Sequence, residues 1–203
     1  MRIAENVEML RVGGLNLTLV WDDESLVLAD AARPGQADEI AEAIAAAGFA
    51  AENLTHIVLT HQDMDHIGSV RDLLKIAPNA QILAHVDEAP FMDGRAAMTK
   101  SGEILAEELR FSVNHELTDG EILPIAGGIK IIHTPGHTPG HICLLLQKSG
   151  IMVLGDSASV ENGELVGFNP IYIQDMELSK QSIEKIRPIK VAGYVGYHSG
   201  FFG

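Results

Sequence analysis

The chain has only one cysteine, Cys143, among its 203 residues. An internal disulfide is therefore excluded. The thiol lies inside Ile142-Cys143-Leu144-Leu145-Leu146, which predicts a buried core residue rather than a catalytic one. Clustered basic residues are also missing: the 14 Lys and Arg are scattered with no two adjacent, against 28 Asp and Glu, for a formal charge of −14. Phosphate backbones are held by clustered cations, so the composition argues against a nucleic-acid substrate or partner. The acidic surplus reads instead as a solvated face that aids solubility. No apolar run is long enough for a membrane span. The Ala-rich stretch Ile40 to Ala51 reads as a helix with Glu39 and Glu42 on its exposed side. No charged-then-apolar leader opens the chain, and with the lone thiol this gives the expectation of a cytoplasmic protein without a membrane partner. There is no Gly-x-Ser-x-Gly elbow, which argues against a serine hydrolase. No repeat or composition break divides the sequence, so a single domain over 1–203 with one substantial core is expected.

Histidine and aspartate, by contrast, fall in a pattern. Thr60-His61-Gln62-Asp63-Met64-Asp65-His66 places four imidazole or carboxylate groups within six residues. Divalent ions such as zinc, manganese and iron accept both ligand types. Such a cluster surrounds an ion only on a tight loop where alternate side chains converge. His137, Asp156 and His198 follow later, and every ligand segment comes after a short aliphatic run. Ile57-Val58-Leu59 precedes His61, and Ile129 to Ile132 precedes Thr134-Pro135-Gly136-His137. Ile151 to Leu154 precedes Gly155-Asp156, and Val191 to Val195 precedes Tyr197-His198. Short β-branched runs ending in Gly or Pro read as buried strands. Four such strands lying side by side and pointing one way would deliver His61, Asp63, Asp65, His66, His137, Asp156 and His198 to one sheet edge. The chemistry implied is metal-activated water.

A strand, a His-x-His-x-Asp-His-like segment, a Gly-His, a Gly-Asp and a late His, in this order, resemble the metallo-β-lactamase superfamily of hydrolases. Leu26-Val27-Leu28-Ala29-Asp30 also resembles that family's early strand ending in Asp, so the resemblance covers nearly the whole chain. It implies an α/β fold, a four-layer αββα sandwich with a dinuclear metal site at its open edge. It assigns His61, Asp63 and His137 to one metal, and Asp65, His66 and His198 to the other, with Asp156 bridging. On this reading Asp65 takes a proton from water activated by the metals, and the resulting hydroxide attacks a carbonyl or phosphoryl centre.

Asp63 departs from the family pattern, which has a second His there. Asp is shorter, so it reaches the first metal only if the loop shifts, the metal moves or water bridges the gap. The added carboxylate makes a weaker Lewis acid and shifts preference toward manganese or iron. The expectation is one or two divalent ions, zinc first, with iron or manganese as alternatives. The expected substrate is a small ester, lactone or related acyl compound. Ser159 stands where the family's lactonases carry Tyr, and Ser157 to Gly167 lacks the basic residues with which glyoxalase II-like enzymes hold glutathione. Two other classes stay open. One is a di-iron oxidoreductase resembling the metal domain of flavodiiron proteins, which normally carry a flavin domain after it. The other is a non-catalytic metal-binding protein.

Patterning places an opening meander at Val7 to Val12, Leu15 to Trp21 and Leu26 to Asp30. It places helices at Ala37 to Ala47, Ile67 to Ile76 and Met176 to Ile186, and a short strand at Ile82 to Ala84. Ser159 to Gln174 reads as a loop. The ambiguous stretch Val86 to Arg110, helical over Ile104 to Leu109, carries Phe91, Met92 and Met98 and is where a substrate wall would sit, although core packing fits each better. His141 reads as a structural or supporting residue and His56, His115 and His133 as structural, while His85, after a strand, reads as a hydrogen-bonded surface residue ahead of one that lines the entrance. Asp30 reads equally as a turn cap or as the carboxylate that orients a ligating imidazole.

Overall fold

Alternation of side chains along the strands builds two sheets whose facing surfaces close one core. The structure, a computed structural model, describes residues 1–161 and 163–203. In chain order the strands of the first half are β1 (Arg2–Ala4), β2 (Val7–Val12), β3 (Leu15–Trp21), β4 (Leu26–Ala29), β5 (His56–Leu59), β6 (Gln81–His85) and β7 (His115–Leu117). They lie in sequence order in one sheet, antiparallel through β4 and parallel from β4 to β7. Helices α1 (Ala37–Ala46), α2 (Met64–Ile67), α3 (Val70–Ile76) and α4 (Ala89–Met92) connect the parallel strands. The second half gives β8 (Ile122–Leu123), β9 (Ile129–His133), β10 (Ile142–Leu146), β11 (Ile151–Val153), the hairpin β12 (Ala158–Glu161) and β13 (Glu164–Gly167), α5 (Met176–Ile186), β14 (Gly193–Gly196) and β15 (Gly200–Phe202). The second sheet runs β15-β14-β11-β10-β9-β8.

Period-two patterning decides which layer each side chain enters. In β4 and β5, Leu28, Ile57 and Leu59 face α1 and α3, where Ile40, Ile44, Val70 and Leu73 meet them. Val27, Ala29 and Val58 turn the other way and pack between the sheets against Ile129, Ile131, Ile142, Leu144 and Val153. The outer face of the second sheet, with Ile132, Cys143 and Met152, is covered by Ile183 and Ile186 of α5. Helices, sheet, sheet and helix therefore stack as the expected αββα sandwich. Among the described residues no helix is long and apolar enough to cross a membrane.

Four expectations need correction. The four ligand-bearing strands are not neighbours in one sheet: β5 belongs to the first, and β9, β11 and β14 to the second. The latter three share one direction, since β9 and β11 are both antiparallel to β10 and β14 is parallel to β11. The sheets are tied at the edge by Ile142 N donating to Thr60 O at 3.0 Å. The helix expected over 67–76 is interrupted, because the N–H groups of Gly68 and Ser69 donate to Ala32 O and Ala31 O instead of continuing it. The loop expected over 159–174 contains β12 and β13, whose Val160 and Leu165 are buried near α5. In the 86–110 segment, Met92 and Met98 are core residues and Phe91 packs on the same cluster. Its helical content is α4 and a single turn at Glu107–Leu109.

Candidate metal centre

Each ligand stands just beyond a strand end. After β5 the chain enters His61-Gln62-Asp63 and then the one-turn α2, which carries Asp65 and His66. The β9–β10 connection carries His137, the turn after β11 carries Asp156, and the turn after β14 carries His198. The structure brings all seven expected residues together. His61, Asp63 and His137 form one group and Asp65, His66 and His198 another, in each of which one ligand atom per residue lies within 4.8 Å of the others. Asp156 lies between them: its Oδ2 is 3.5 Å from His137 Nε2 and 3.3 Å from His198 Nε2, and its Oδ1 is 3.4 Å from His66 Nε2.

A buried layer of polar contacts fixes these groups. Asp30 Oδ1 accepts from Thr60 N at 2.8 Å, and its Oδ2 is 3.0 Å from His66 Nδ1. That contact directs His66 Nε2 into the site, so Asp30 acts as the orienting carboxylate rather than as a turn cap. Burial opposes charge on His66, but the carboxylates of Asp30 and Asp156 overcome it and raise the imidazole well above its usual range. His141 is fully buried; its Nε2 accepts from Asp156 N at 2.9 Å, which leaves the ring proton on Nδ1 facing Thr134 Oγ1. A nitrogen engaged in that way is no ligand. Gly155 (φ +51°) makes the contact possible, because a Cβ there would stand 2.6 Å from His141 Nε2. Burial, with His66 alongside, lowers His61 to about 4. Burial also acts to raise Asp63 and Asp156, yet neighbouring imidazoles hold both well below the ordinary carboxylate range.

The donor set fits a divalent ion. His61 Nε2, His66 Nε2 and Asp156 Oδ1 are buried polar atoms without a hydrogen-bond partner among the described residues, and these three residues also form a group of ligand spacing. Unpaired buried polar atoms cost about 1–3 kcal/mol each. Three aimed at one point are what a cation satisfies.

Several residues at the site carry no motif. Tyr197 is buried, stacks on His66 with centroids 3.8 Å apart, and donates its hydroxyl to Asp65 O at 2.6 Å. Its adjacency to His198 was the only available signal. Lys100 reaches Asp63 and His137 from the 86–110 segment. Glu88, fully buried, accepts from Gly140 N at 2.7 Å and from Gln62 Nε2 at 3.1 Å. The cleft above the ligands, about 530 Å³, is walled by Phe168, Tyr172, Ser159 and Arg33 rather than by Phe91, Met92 or Met98. His85, buried rather than on the surface, stacks on His133 at 4.1 Å, while His56 and His115 bond Thr55 and Glu121.

The model of the metallo-beta-lactamase superfamily matches residues 10–198. Among curated proteins, an N-acyl homoserine lactonase from a Bacillus species is 30% identical over 156 residues, covering 75% of this chain and 57% of its own length. An uncharacterised protein of Bacillus subtilis, YobT, is 29% identical over 157 residues, 73% of this chain and 64% of its own. The chain thus spans about three-fifths of the length of the curated relatives it matches. Among solved structures, a metallo-beta-lactamase family protein from Thermus thermophilus superposes with a TM-score of 0.77 at 21% identity, covering 99% of this chain and 76% of that one. The family match runs from β2 to the last ligand and includes every residue of the cluster just described; the chain belongs to the metallo-beta-lactamase superfamily.

Proposed function

We propose that this protein is a metal-dependent hydrolase acting on a small ester, lactone or related acyl substrate. The observation that carries the reading is the set of unpartnered ligand atoms on His61, His66 and Asp156, the last of which lines an open cleft. Bound there, a divalent ion, zinc in the first instance, supplies Lewis acidity and an acidified water. Asp65 is partly exposed to the cleft, with Oδ2 3.5 Å from His198 Nε2. It is the carboxylate placed to accept a proton from a nucleophilic water and return it to a leaving group. Tyr197 fixes the backbone that carries Asp65, and its ring holds His66 against rotation. Phe168, edge-on to His137 at 5.3 Å, and Tyr172 offer an apolar wall for an acyl chain. A cleft of this size suits a small molecule. The lactonase relative adds weight to an acyl substrate.

The test is hydrolysis of a panel of esters, lactones, thioesters and phosphodiesters. Activity should vanish with chelator and return with zinc, manganese or iron. Asp65→Asn should lower kcat by about 10²–10⁴-fold, the usual worth of a positioned acid–base group. A coloured iron form that consumes dioxygen from an electron donor, without metal-restored hydrolysis, would overturn the proposal.

A further inference from the structure

We propose that Lys100 is a resident cation in the first metal position, and that the protein takes a single divalent ion at His61, His66 and Asp156, with Asp65 and His198 on its open side. The inference rests on reading the cluster as a metal centre. Lys100 Nζ donates to Asp63 Oδ2 and lies 2.8 Å from His137 Nε2. These are two of the three residues expected to hold the first ion, and the ammonium engages the very atoms that ion would need. Zinc sits about 2.0–2.2 Å from imidazole nitrogen and carboxylate oxygen. An ion so placed on His137 and Asp63 would collide with Nζ, and two cations cannot share the position.

The remaining atoms sort accordingly. Asp63 Oδ2 and His137 Nε2 have a hydrogen-bond partner, whereas His61 Nε2, His66 Nε2 and Asp156 Oδ1 have none among the described residues. The demand for a cation is thus concentrated at the group formed by His61, His66 and Asp156. Asp63 also becomes intelligible. A carboxylate pairs its charge with an ammonium, which a neutral imidazole at that position does not.

Lys100 is not a wandering surface side chain. It sits on a turn closed by the Ala97–Ile104 bridge and by Met98 N donating to Glu103 O at 2.8 Å. Thr99 N donates to Gln62 Oε1 at 2.8 Å, and Thr99 Oγ1 accepts from Gln174 Nε2. Gln62, between His61 and Asp63, is buried and gripped in turn by Glu88. The turn that presents the ammonium and the loop that presents the carboxylate are therefore locked to each other through one side chain. Preorganisation of this kind lets a tethered amine compete with a free ion.

The experiment is metal titration of chelator-stripped protein, by calorimetry with zinc and by the visible spectrum of cobalt(II), with no substrate present. The wild type should bind one equivalent. Lys100→Ala and Lys100→Met should bind two, the second at least ten-fold tighter than any second equivalent in the wild type, while Lys100→Arg should stay at one. Circular dichroism checks that each variant is folded. Two equivalents in the wild type, each within three-fold of the Lys100→Ala affinities, would overturn the proposal. One equivalent in every variant would overturn it too, because removing Lys100 would then open nothing. Binding of no ion in any variant would sink the metal centre itself. A shift from one to two without hydrolysis would sink only the hydrolase reading.

Discussion

Glu88 offers a sharp test of how the ligand loops are held. It follows β6, is fully buried, and accepts from Gly140 N and Gln62 Nε2, so it ties the His137 loop to the His61 loop. Burial pushes its carboxyl up from 4.5 to about 7. In the unfolded chain the same group ionises near 4.5. Between those values the folded state holds the proton and the unfolded state has released it. Stability therefore falls as pH rises through this window, and the effect is complete above about 7. The gap between 4.5 and about 7, at about 1.4 kcal/mol per pH unit, amounts to about 3 kcal/mol, a large share of the ~5–15 kcal/mol stability of an ordinary domain. Glu88→Gln cannot ionise. It presents one oxygen where two are used, so one donor loses its partner at a cost of about 1–3 kcal/mol that does not change with pH. Urea denaturation of both proteins from pH 4 to 8.5 should give stability curves whose difference changes by about 3 kcal/mol between pH 4.5 and 8, in favour of the variant at high pH. Other titrating groups are common to both proteins and cancel in the difference. Parallel curves would refute the assignment.

Two further outcomes follow from the contacts around the ligands. Asp30→Asn can turn an amide nitrogen toward His66 Nδ1, which moves the ring proton to Nε2 and blocks that ligand; zinc affinity, read by competition with a chelating dye, should fall about 10–100-fold, and an unchanged affinity would count against the orienting role. Gly155→Ala combines a left-handed φ of +51° with a Cβ 2.6 Å from His141 Nε2, so its urea midpoint should report a loss of about 1–3 kcal/mol, whereas an unshifted midpoint would show that the turn relaxes freely.

What the sequence disclosed followed local patterning. The strands β2, β3 and β4 stand within a residue of the meander read from alternation, and α5 matches its expected span. The seven residues of the cluster were legible because imidazole and carboxylate after aliphatic runs have no packing purpose. Sheet membership was not legible, since Ile57-Val58-Leu59 and Ile151-Met152-Val153 are equivalent strings that bury both faces in different sheets. The β12–β13 hairpin was missed because four-residue strands leave too little alternation to register. Lys100 and Glu88 were invisible for a different reason. Each acts on the His61–His66 loop from more than twenty residues away, through a turn or a strand end that places one side chain. No local period encodes such contacts. They depend on where the 86–110 segment packs, which Met92, Met98 and Leu105 decide in the core.

The same edge that gathers the ligands gathers the strained backbone. Asp30 (φ 63°) and Ala32 (φ 50°) are two of the three non-glycine residues in the left-handed region among those described, and both lie in the turn after β4. Such residues cost of order 1–3 kcal/mol each and persist only where their surroundings fix them. Here the surroundings do so: Asp30 N donates to Val58 O, Ala31 N to His66 O, and Gly68 N to Ala32 O. The turn is thereby bound to β5 and to the C-terminal end of α2, and the strain is offset by contacts that also position His66. The His137 loop is built the same way. Gly136 has φ +135°, a Cβ there would stand 2.4 Å from Ser179 N, and its carbonyl accepts from both Gln174 N and Asp175 N. The turn beside His66 and the loop carrying His137 are thus each clamped by neighbouring elements. A relaxed turn would leave the imidazoles free to point outward and pair with water; clamped turns hold His61, His66 and Asp156 inward with atoms unpaired, and that enforced deficit is what gives the centre its affinity for a cation.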